Sequence, residues 1–300
     1  MMTTMPKQHL EPNAGRLQRA FSLIEIMVTV ALLSVIILGL VAMFDQTRKA
    51  FTSGLTQTDY LEAGRTAADM IARELGQMTP SYTNQMNFYV DYAPGTILFA
   101  QPLANPADIR TNGLQRFYFL VQNNRQWSAI AYRFDAPGTS AGVGTLYRCY
   151  SPTVPAGTLG NATAIFNAFF IPKPFSTSLI ITNRIMDGVV DFRIRAFDRD
   201  GNLITNSFNG VSGFASPNRD SLNNVTGDYS YRFVSNTVPA YVELELGVLE
   251  TKTLQQYKGL PTTNPNIGLN FLANHAGQVH IFRQRIPIRS VDPSAYPFPQ

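Results

Sequence analysis

One segment of this chain is apolar enough and long enough to cross a lipid bilayer. The run from Ile26 to Phe44 carries no charge, and the residues from Phe21 to Ile24 extend it to the roughly 20 residues that a helix needs to span hydrocarbon. Since the sequence contains one such segment, a polytopic transporter is excluded. The sequence predicts a single-span or signal-bearing protein with one globular domain.

Helix-compatible sequence continues beyond the apolar run. No proline occurs between Phe21 and Thr79, and from Phe44 onward the apolar residues recur at helical spacing opposite a charged face. This pattern predicts one continuous helix that is hydrophobic all round to residue 44 and amphipathic over residues 45–79. The predicted apolar stripe consists of Phe44, Phe51, Leu55, Ala63, Ala67, Ile71, Leu75 and Met78.

Residues 80–300 are expected to form a β-rich domain. Most of the 21 glycines and 19 prolines lie in this part of the chain, and these residues mark turns and interrupt helices. Long Asn-, Ser- and Gly-rich stretches at 206–229 and 256–277 are predicted to be loops, either contact surfaces or mobile surface loops. The predicted strands are Asn87–Tyr92, Thr96–Ala100, Arg116–Gln122, Trp127–Phe134, Thr145–Tyr150, Val189–Phe197, Tyr241–Leu249 and Val279–Ile288.

Three of these strands alternate apolar and charged residues with the period of two that is typical of a half-buried strand. We therefore expect an α+β fold, in which an antiparallel sheet packs one face on the amphipathic half of the helix. The opposite face is expected to be partly exposed to water. The alternating charged residues expected there include Asp191, Arg193, Arg195, Glu243, Glu245, Arg283 and Arg285.

The residues before Phe21 resemble a secretory signal at first sight. A basic segment precedes the apolar run, with Lys7, Arg16 and Arg19 against Glu11. However, no small-x-small cleavage site follows the apolar run, and a carboxylate, Glu25, lies inside it. A charge within a membrane helix costs roughly 2.5–3.5 kcal/mol on insertion scales, so this glutamate requires a functional reason.

The stretch Arg19-Ala20-Phe21-Ser22-Leu23-Ile24-Glu25 resembles the processing motif of type IV prepilins. The resemblance implies that a prepilin peptidase cleaves between Ala20 and Phe21 and methylates the new amino terminus of Phe21. It also implies that Glu25 neutralises this amine, or that of a neighbouring subunit, during assembly, since a charge pair tolerates burial better than a lone charge. Ala20 stands where the family usually has glycine, and we expect cleavage because alanine is also very small.

Two further stretches resemble the J-class minor pseudopilins of type II secretion and the large minor pilins. They are 185–194, followed by Asp200-Gly201, and 238–244; the tryptophan that usually follows the Asp-Gly turn is absent. The resemblance implies a pilin-like architecture. Its parts are a leader at 1–20, a membrane or filament-core helix at 21–44, an amphipathic helix at 45–79 and a periplasmic domain at 80–300.

The function implied by these resemblances is that of a structural and assembly subunit of a type II secretion pseudopilus or a type IV pilus. Such a subunit is not an enzyme, needs no cofactor, and lies in the inner membrane with its C-terminal domain in the periplasm. Its partners are the prepilin peptidase and other pilins or pseudopilins. The alternatives are a periplasmic enzyme or sensor with an uncleaved signal-anchor, and a pilus-tip adhesin.

Other candidate sites are weak. Cys149 alternates with aromatic residues, which predicts a buried thiol. The stretch from Asp198 to Asn202 lacks the later acidic ligand of a calcium loop and is predicted to be a hairpin turn. The three histidines lack ligand partners at metal-site spacing. The net charge is +4, with no basic run, so neither a metal site nor nucleic-acid binding is expected.

Overall fold

The computed structural model describes residues 22–83, 85–92, 99–102, 109–124, 126–135, 142–154, 166–167, 169, 180–204, 230–261 and 264–295. The chain divides into two compact units, Met1–Leu55 and Thr56–Gln300. One helix, α1 (Leu23–Leu75), supplies the described part of the first unit and the start of the second. The predicted long N-terminal helix is therefore confirmed.

The second unit is built on an antiparallel sheet of eight strands in the order β10-β9-β7-β6-β5-β4-β1-β8, while β2 and β3 form a separate hairpin. This arrangement confirms the predicted α+β fold. The described strands are β1 (Met86–Tyr92), β2 (Phe99–Pro102), β3 (Ile109–Asn112), β4 (Gln115–Asn123), β5 (Gln126–Asp135), β6 (Gly144–Val154), β7 (Ile181–Phe197), β8 (Tyr231–Val234), β9 (Tyr241–Leu249) and β10 (Val279–Pro287).

The end of α1 covers one face of the sheet. Ile71, Leu75 and Met78 have no exposed surface, and Ile71 and Leu75, four residues apart, share one side of the helix. Beneath them lies an aromatic layer in which the Phe117 and Phe192 rings are stacked, with centroids 5.7 Å apart. This part of the predicted stripe is confirmed.

The other half of the stripe is exposed. Phe44, Phe51 and Leu55 are 70%, 68% and 51% exposed, and Ala63 is exposed as well. Close packing begins near Gly64, where an added Cβ would lie 2.4 Å from Cε2 of Phe282 in β10. Periodicity shows which side of a helix is apolar, but not which of the residues on that side are buried.

The opposite face of the sheet is partly exposed to water, as expected, but two of its carboxylates are buried. Asp191 and Glu245 are each 1% exposed. Arg110 of β3 reaches both carboxylates and donates to them, and Gly113 N donates to Asp191 Oδ1 at 3.0 Å. The residues of the β2–β3 hairpin therefore remove these carboxylates from water and compensate their charge.

Arg193 belongs to the same buried cluster. It is 6% exposed, its Nε lies 3.1 Å from Asp191 Oδ1, and it also donates to the carbonyl of Thr111. Gly247, opposite Asp191 in the register, leaves room for the cluster, since an added Cβ would lie 2.9 Å from the Asp191 Cβ. The alternation placed these charges on the correct face, of which this part is buried while Arg283 and Arg285 are exposed.

The predicted loop at 256–277 is largely helical. It contains the end of α2 (Thr251–Lys258) and the whole of α3 (Pro265–Asn274). Asn264 caps α3 by accepting from Asn266 N at 3.0 Å, and Pro265 occupies the first turn. An Asn-Pro helix start is a recognisable signal, which the composition-based prediction overlooked. The other predicted loop, 206–229, lies outside the described residues.

The strand prediction holds for the long strands and misses two of the three short ones. β3 and β8 have four residues each and were not predicted, since four residues are too few to establish an alternating pattern. β7 starts at Ile181 rather than at Val189, because it continues through a bulge next to Gly188, whose φ is +77°. The predicted strand 96–100 overlaps β2, and its first residues lie outside the described part.

Candidate functional site: the N-terminal helix

The start of α1 contains the one predicted site residue that the structure describes. The carbonyl of Ser22 accepts from Glu25 N at 3.0 Å, and the Ser22 Oγ accepts from the same N–H at 3.4 Å. Ser22 therefore acts as a helix N-cap, and exposed Glu25 lies in the first turn. A carboxylate in the first turn is favoured by the positive end of the helix dipole.

The cap of Ser22 was not predicted from the sequence. The spacing from Ser22 to Glu25 is that of a capping box, Ser-x-x-Glu, which could have identified the helix start. The position of Glu25 in the first turn is also favourable for the helix itself. Ala20 and Phe21 lie outside the described residues, so the cleavage position stays a prediction.

The segment Leu23–Thr52 is apolar and exposed. Its most apolar window has a mean hydropathy of 2.8 and no buried residue, and by length and composition the helix can cross a membrane. The helix presents hydrophobic side chains on all sides, and Leu23, Met27, Leu38 and Phe44 are each at least 65% exposed. A helix of this kind is typical of one surrounded by lipid or by other helices.

The hydroxyl groups inside the apolar segment satisfy their hydrogen bonds within the helix. Thr29 Oγ1 donates to the carbonyl of Ile26 at 2.9 Å, and Ser34 Oγ donates to that of Val30 at 2.8 Å. Unsatisfied polar groups cost several kcal/mol in hydrocarbon. These internal bonds make Thr29 and Ser34 compatible with an apolar environment.

The second unit contains a groove of about 350 Å³ between α1 and strands β4 to β6. Glu74 and Arg148, two of its charged groups, contact one another. Arg148 Nε donates to Glu74 Oε1 at 2.9 Å, and the hydroxyl of Tyr132 donates to Glu74 Oε2 at 2.5 Å. Burial, reinforced by the Glu74 carboxylate, raises the pKa of Tyr132 above its ordinary value. The hydroxyl therefore stays protonated and attaches the helix to the sheet.

Cys149 is buried, as predicted. Its thiol lies among aromatic and aliphatic side chains in a cluster separate from the one that contacts α1. Burial raises the pKa of its thiol, which disfavours the thiolate that a nucleophile or metal ligand requires. The stretch from Asp198 to Asn202 forms the predicted turn, with Asn202 N donating to Asp198 Oδ1 at 2.8 Å and Gly201 at a φ of +85°.

The two histidines in the described part of the chain make local contacts. His275 Nδ1 lies 2.7 Å from the carbonyl of Phe271, and His280 Nε2 lies 3.2 Å from Glu250 Oε1. Among the described residues, no three His, Cys, Asp or Glu side chains lie close enough together to hold a metal ion.

Comparison with known proteins supports the N-terminal site. The model of the prokaryotic N-terminal methylation motif matches residues 15–41, which include the predicted cleavage position, Glu25 and the first half of the apolar segment. No curated protein matches the chain. The match indicates a structural subunit, and an N-terminal apolar helix that follows such a motif is consistent with an inner-membrane anchor. This motif, joined to a long apolar helix and an antiparallel β-domain, supports a type IV prepilin-like protein.

Proposed function

We propose that this protein is a minor pilin or pseudopilin, a structural and assembly subunit of a type II secretion pseudopilus or a type IV pilus. Its leader is residues 1–20, and the mature chain begins at N-methylated Phe21. Residues 21–44 lie first in the inner membrane and then in the filament core. Residues 45–79 continue this helix into a periplasmic domain at 80–300. The observation that carries the proposal is the methylation motif at residues 15–41.

The exposed apolar helix supports assembly as well as anchoring. Leu23–Thr52 has no buried residue in its apolar window, so its surface is available to lipid or to the equivalent helices of neighbouring subunits. Moving from lipid to a filament core exchanges one apolar environment for another, and close helix packing then provides the contacts. The partners are the prepilin peptidase and other pilins or pseudopilins.

Glu25 would act after cleavage. The new amine at Phe21 is positive, and a carboxylate in the first helical turn can neutralise it in the same subunit or in the neighbour. A charge pair with good hydrogen bonds tolerates an apolar filament core, whereas a lone ammonium does not. The resemblance of 185–194 and 238–244 to J-class pseudopilins supports a place among the minor subunits. These stretches lie in and around β7 and β9.

Processing can be tested at Ala20. Replacement by leucine should block cleavage, because a bulky side chain replaces the smallest one next to the cut, whereas Ala20→Gly should maintain or speed it. Mass spectrometry of the N-terminus reads the result directly: N-methyl-Phe21 is expected in the unmodified protein and the intact leader in Ala20→Leu. Normal processing of Ala20→Leu would place the cut elsewhere. An intact leader in the unmodified protein would favour an uncleaved signal-anchor.

Assembly can be tested at Glu25. Glu25→Ala should leave membrane insertion intact or improve it, since a charge is removed from the membrane helix. Incorporation into sheared filaments should fall, because the amine of Phe21 loses its partner. Glu25→Asp is the matched control, since it keeps the charge and the first-turn position. If Glu25→Ala enters filaments as well as the unmodified protein does, Glu25 serves only the helix terminus.

A further inference from the structure

An arginine-rich surface lies on the outer face of β7, β9 and β10, away from α1. The register aligns Arg195, Glu243 and Arg285 across the three strands, and the next row contains Phe197, Tyr241 and Pro287. Side chains two residues apart share one face of a strand. The two rows therefore adjoin, and arginine lies beside aromatic rings. We call this the arginine surface.

Arg285 is held in place on this surface although its side chain is exposed. Its guanidinium carbon lies 4.7 Å from the ring centroid of Phe197 and 4.8 Å from that of Tyr241. Its Nη2 also lies 3.5 Å from the carbonyl of Gly201. Stacking on two rings fixes the orientation of a planar guanidinium, so little side-chain entropy is lost when a ligand binds.

The positive charge of this surface is only partly compensated. Arg195 Nη1 contacts Glu243 Oε1 at 2.9 Å, and Arg283 contacts buried Glu245. Arg285, in contrast, forms no ion pair with any carboxylate among the described residues. An oriented guanidinium without a carboxylate partner favours a bidentate contact with a carboxylate of another molecule.

The same arginine stands on an edge strand. β10 is at one end of the described eight-stranded sheet and pairs there with β9 alone. An edge strand presents a row of unpaired N–H and C=O groups on its free side. An extended segment of another chain can add to such an edge, with backbone hydrogen bonds providing affinity and side-chain contacts providing specificity.

We propose that β10 binds an extended acidic segment of a different protein, which adds to the sheet edge and places a carboxylate on Arg285. Interface hot spots are enriched in arginine and aromatic residues, which are in contact on this surface. A second copy of this chain does not fit as the occupant. Pairing β10 with β10 would oppose Arg283 and Arg285 to the same residues, and the other edge strand, β8, carries exposed Arg232 rather than an acid.

This surface is independent of the processing motif, since it lies in the second unit. Its function is measured by peptide binding, whereas the proposed function is measured by filament assembly. The probe is a fluorescein-labelled peptide of alternating threonine and glutamate, added to the full chain in detergent and followed by fluorescence anisotropy. It should bind, more weakly as salt rises. The corresponding threonine–glutamine peptide should not bind. N-methylation of alternate amides should weaken binding if the peptide adds as a strand.

Two charge reversals, one on each edge strand of the sheet, distinguish binding at Arg285 from a general effect of net charge. Arg285→Glu should weaken binding of the acidic peptide about 10- to 100-fold, the loss expected for a charge-assisted hydrogen bond. Arg232→Glu changes the net charge equally on β8 and should leave the affinity unchanged. Arg285→Lys keeps the charge without the planar stack and should lie between the two. Circular dichroism and melting temperature show that each variant is folded.

Several results would overturn the proposal. Equal loss of affinity in Arg285→Glu and Arg232→Glu would mean that only net charge matters. An affinity unaffected by N-methylation would exclude strand addition. Tighter, Arg285-dependent binding of single-stranded DNA or of phosphatidylglycerol vesicles would make phosphate, rather than a protein carboxylate, the ligand. No binding of the glutamate peptide at low salt would also refute it.

Discussion

A protein that begins at Pro80 should fail to form a stable β-rich domain, whereas one that begins at Thr56 should fold and remain soluble. The difference lies in the end of α1. Ile71, Leu75 and Met78 are fully buried against the sheet, and burial of a large apolar side chain contributes about 1.5–3 kcal/mol. Three such residues contribute about 5–9 kcal/mol, which is comparable to the whole stability of a domain, about 5–15 kcal/mol.

Polar contacts add to this loss. Without the helix, Arg148 and Tyr132 lose the Glu74 carboxylate that both contact, and a partly buried arginine is left unpaired. Glu74→Gln in the protein that begins at Thr56 isolates this contribution, because it keeps the shape and removes the charge. We expect a smaller loss of stability than that caused by removing the helix.

Thermal unfolding followed by circular dichroism and aggregation followed by light scattering measure the effect. The protein that begins at Thr56 should show one cooperative transition. The one that begins at Pro80 should aggregate or melt at a much lower temperature. Equal melting temperatures would mean that the helix is not part of the domain core.

Removing the Asp191 carboxylate should destabilise the β-rich unit more than a surface substitution does. Asp191 accepts from Arg110, Arg193 and Gly113 N while it is 1% exposed. Breaking a buried ion pair by removing one partner typically costs about 3–5 kcal/mol, since a buried charge is left uncompensated. For a unit of this size we expect the melting temperature to fall by about 6–20 °C in Asp191→Ala.

The matched control is Asp200→Ala, which removes an aspartate with 54% of its side chain exposed. Its effect should be within about 0.5 kcal/mol of zero, as for most surface substitutions. Chemical denaturation of the two variants side by side gives the difference in free energy of unfolding. Equal values for both would show that the β2–β3 hairpin does not depend on Asp191. Asp191→Asn should be intermediate, since the amide oxygen can still accept from Gly113 N.

The helical and strand patterns of the sequence account for much of this architecture. A long stretch without proline, apolar all round and then apolar on one side, is compatible with little besides one long helix. Alternation in residues 189–197 and 241–249 assigns side chains to the two faces of a strand, since the period of two is a property of the extended backbone. These are local properties, and the structure confirms them.

The N-terminal site also follows from the sequence, because a processing motif is recognised as a linear stretch. Arg19 to Glu25 resembles the prepilin motif, and the methylation-motif model matches residues 15–41. The cap of Ser22 was equally available from the spacing to Glu25.

Only the tertiary structure decided which residues are buried. Phe51 and Leu55 continue the apolar stripe and are exposed, whereas Asp191 and Glu245 alternate as solvent-facing residues do and are buried. Burial depends on which distant segment lies over a given face, here the β2–β3 hairpin with Arg110, and no local pattern records that. The sequence therefore determined the helix, the faces of the long strands and the processing motif, because each depends on neighbouring residues alone. The buried charge cluster, the arginine surface on β10 and the start of helix packing at Gly64 depend on segments brought together by folding.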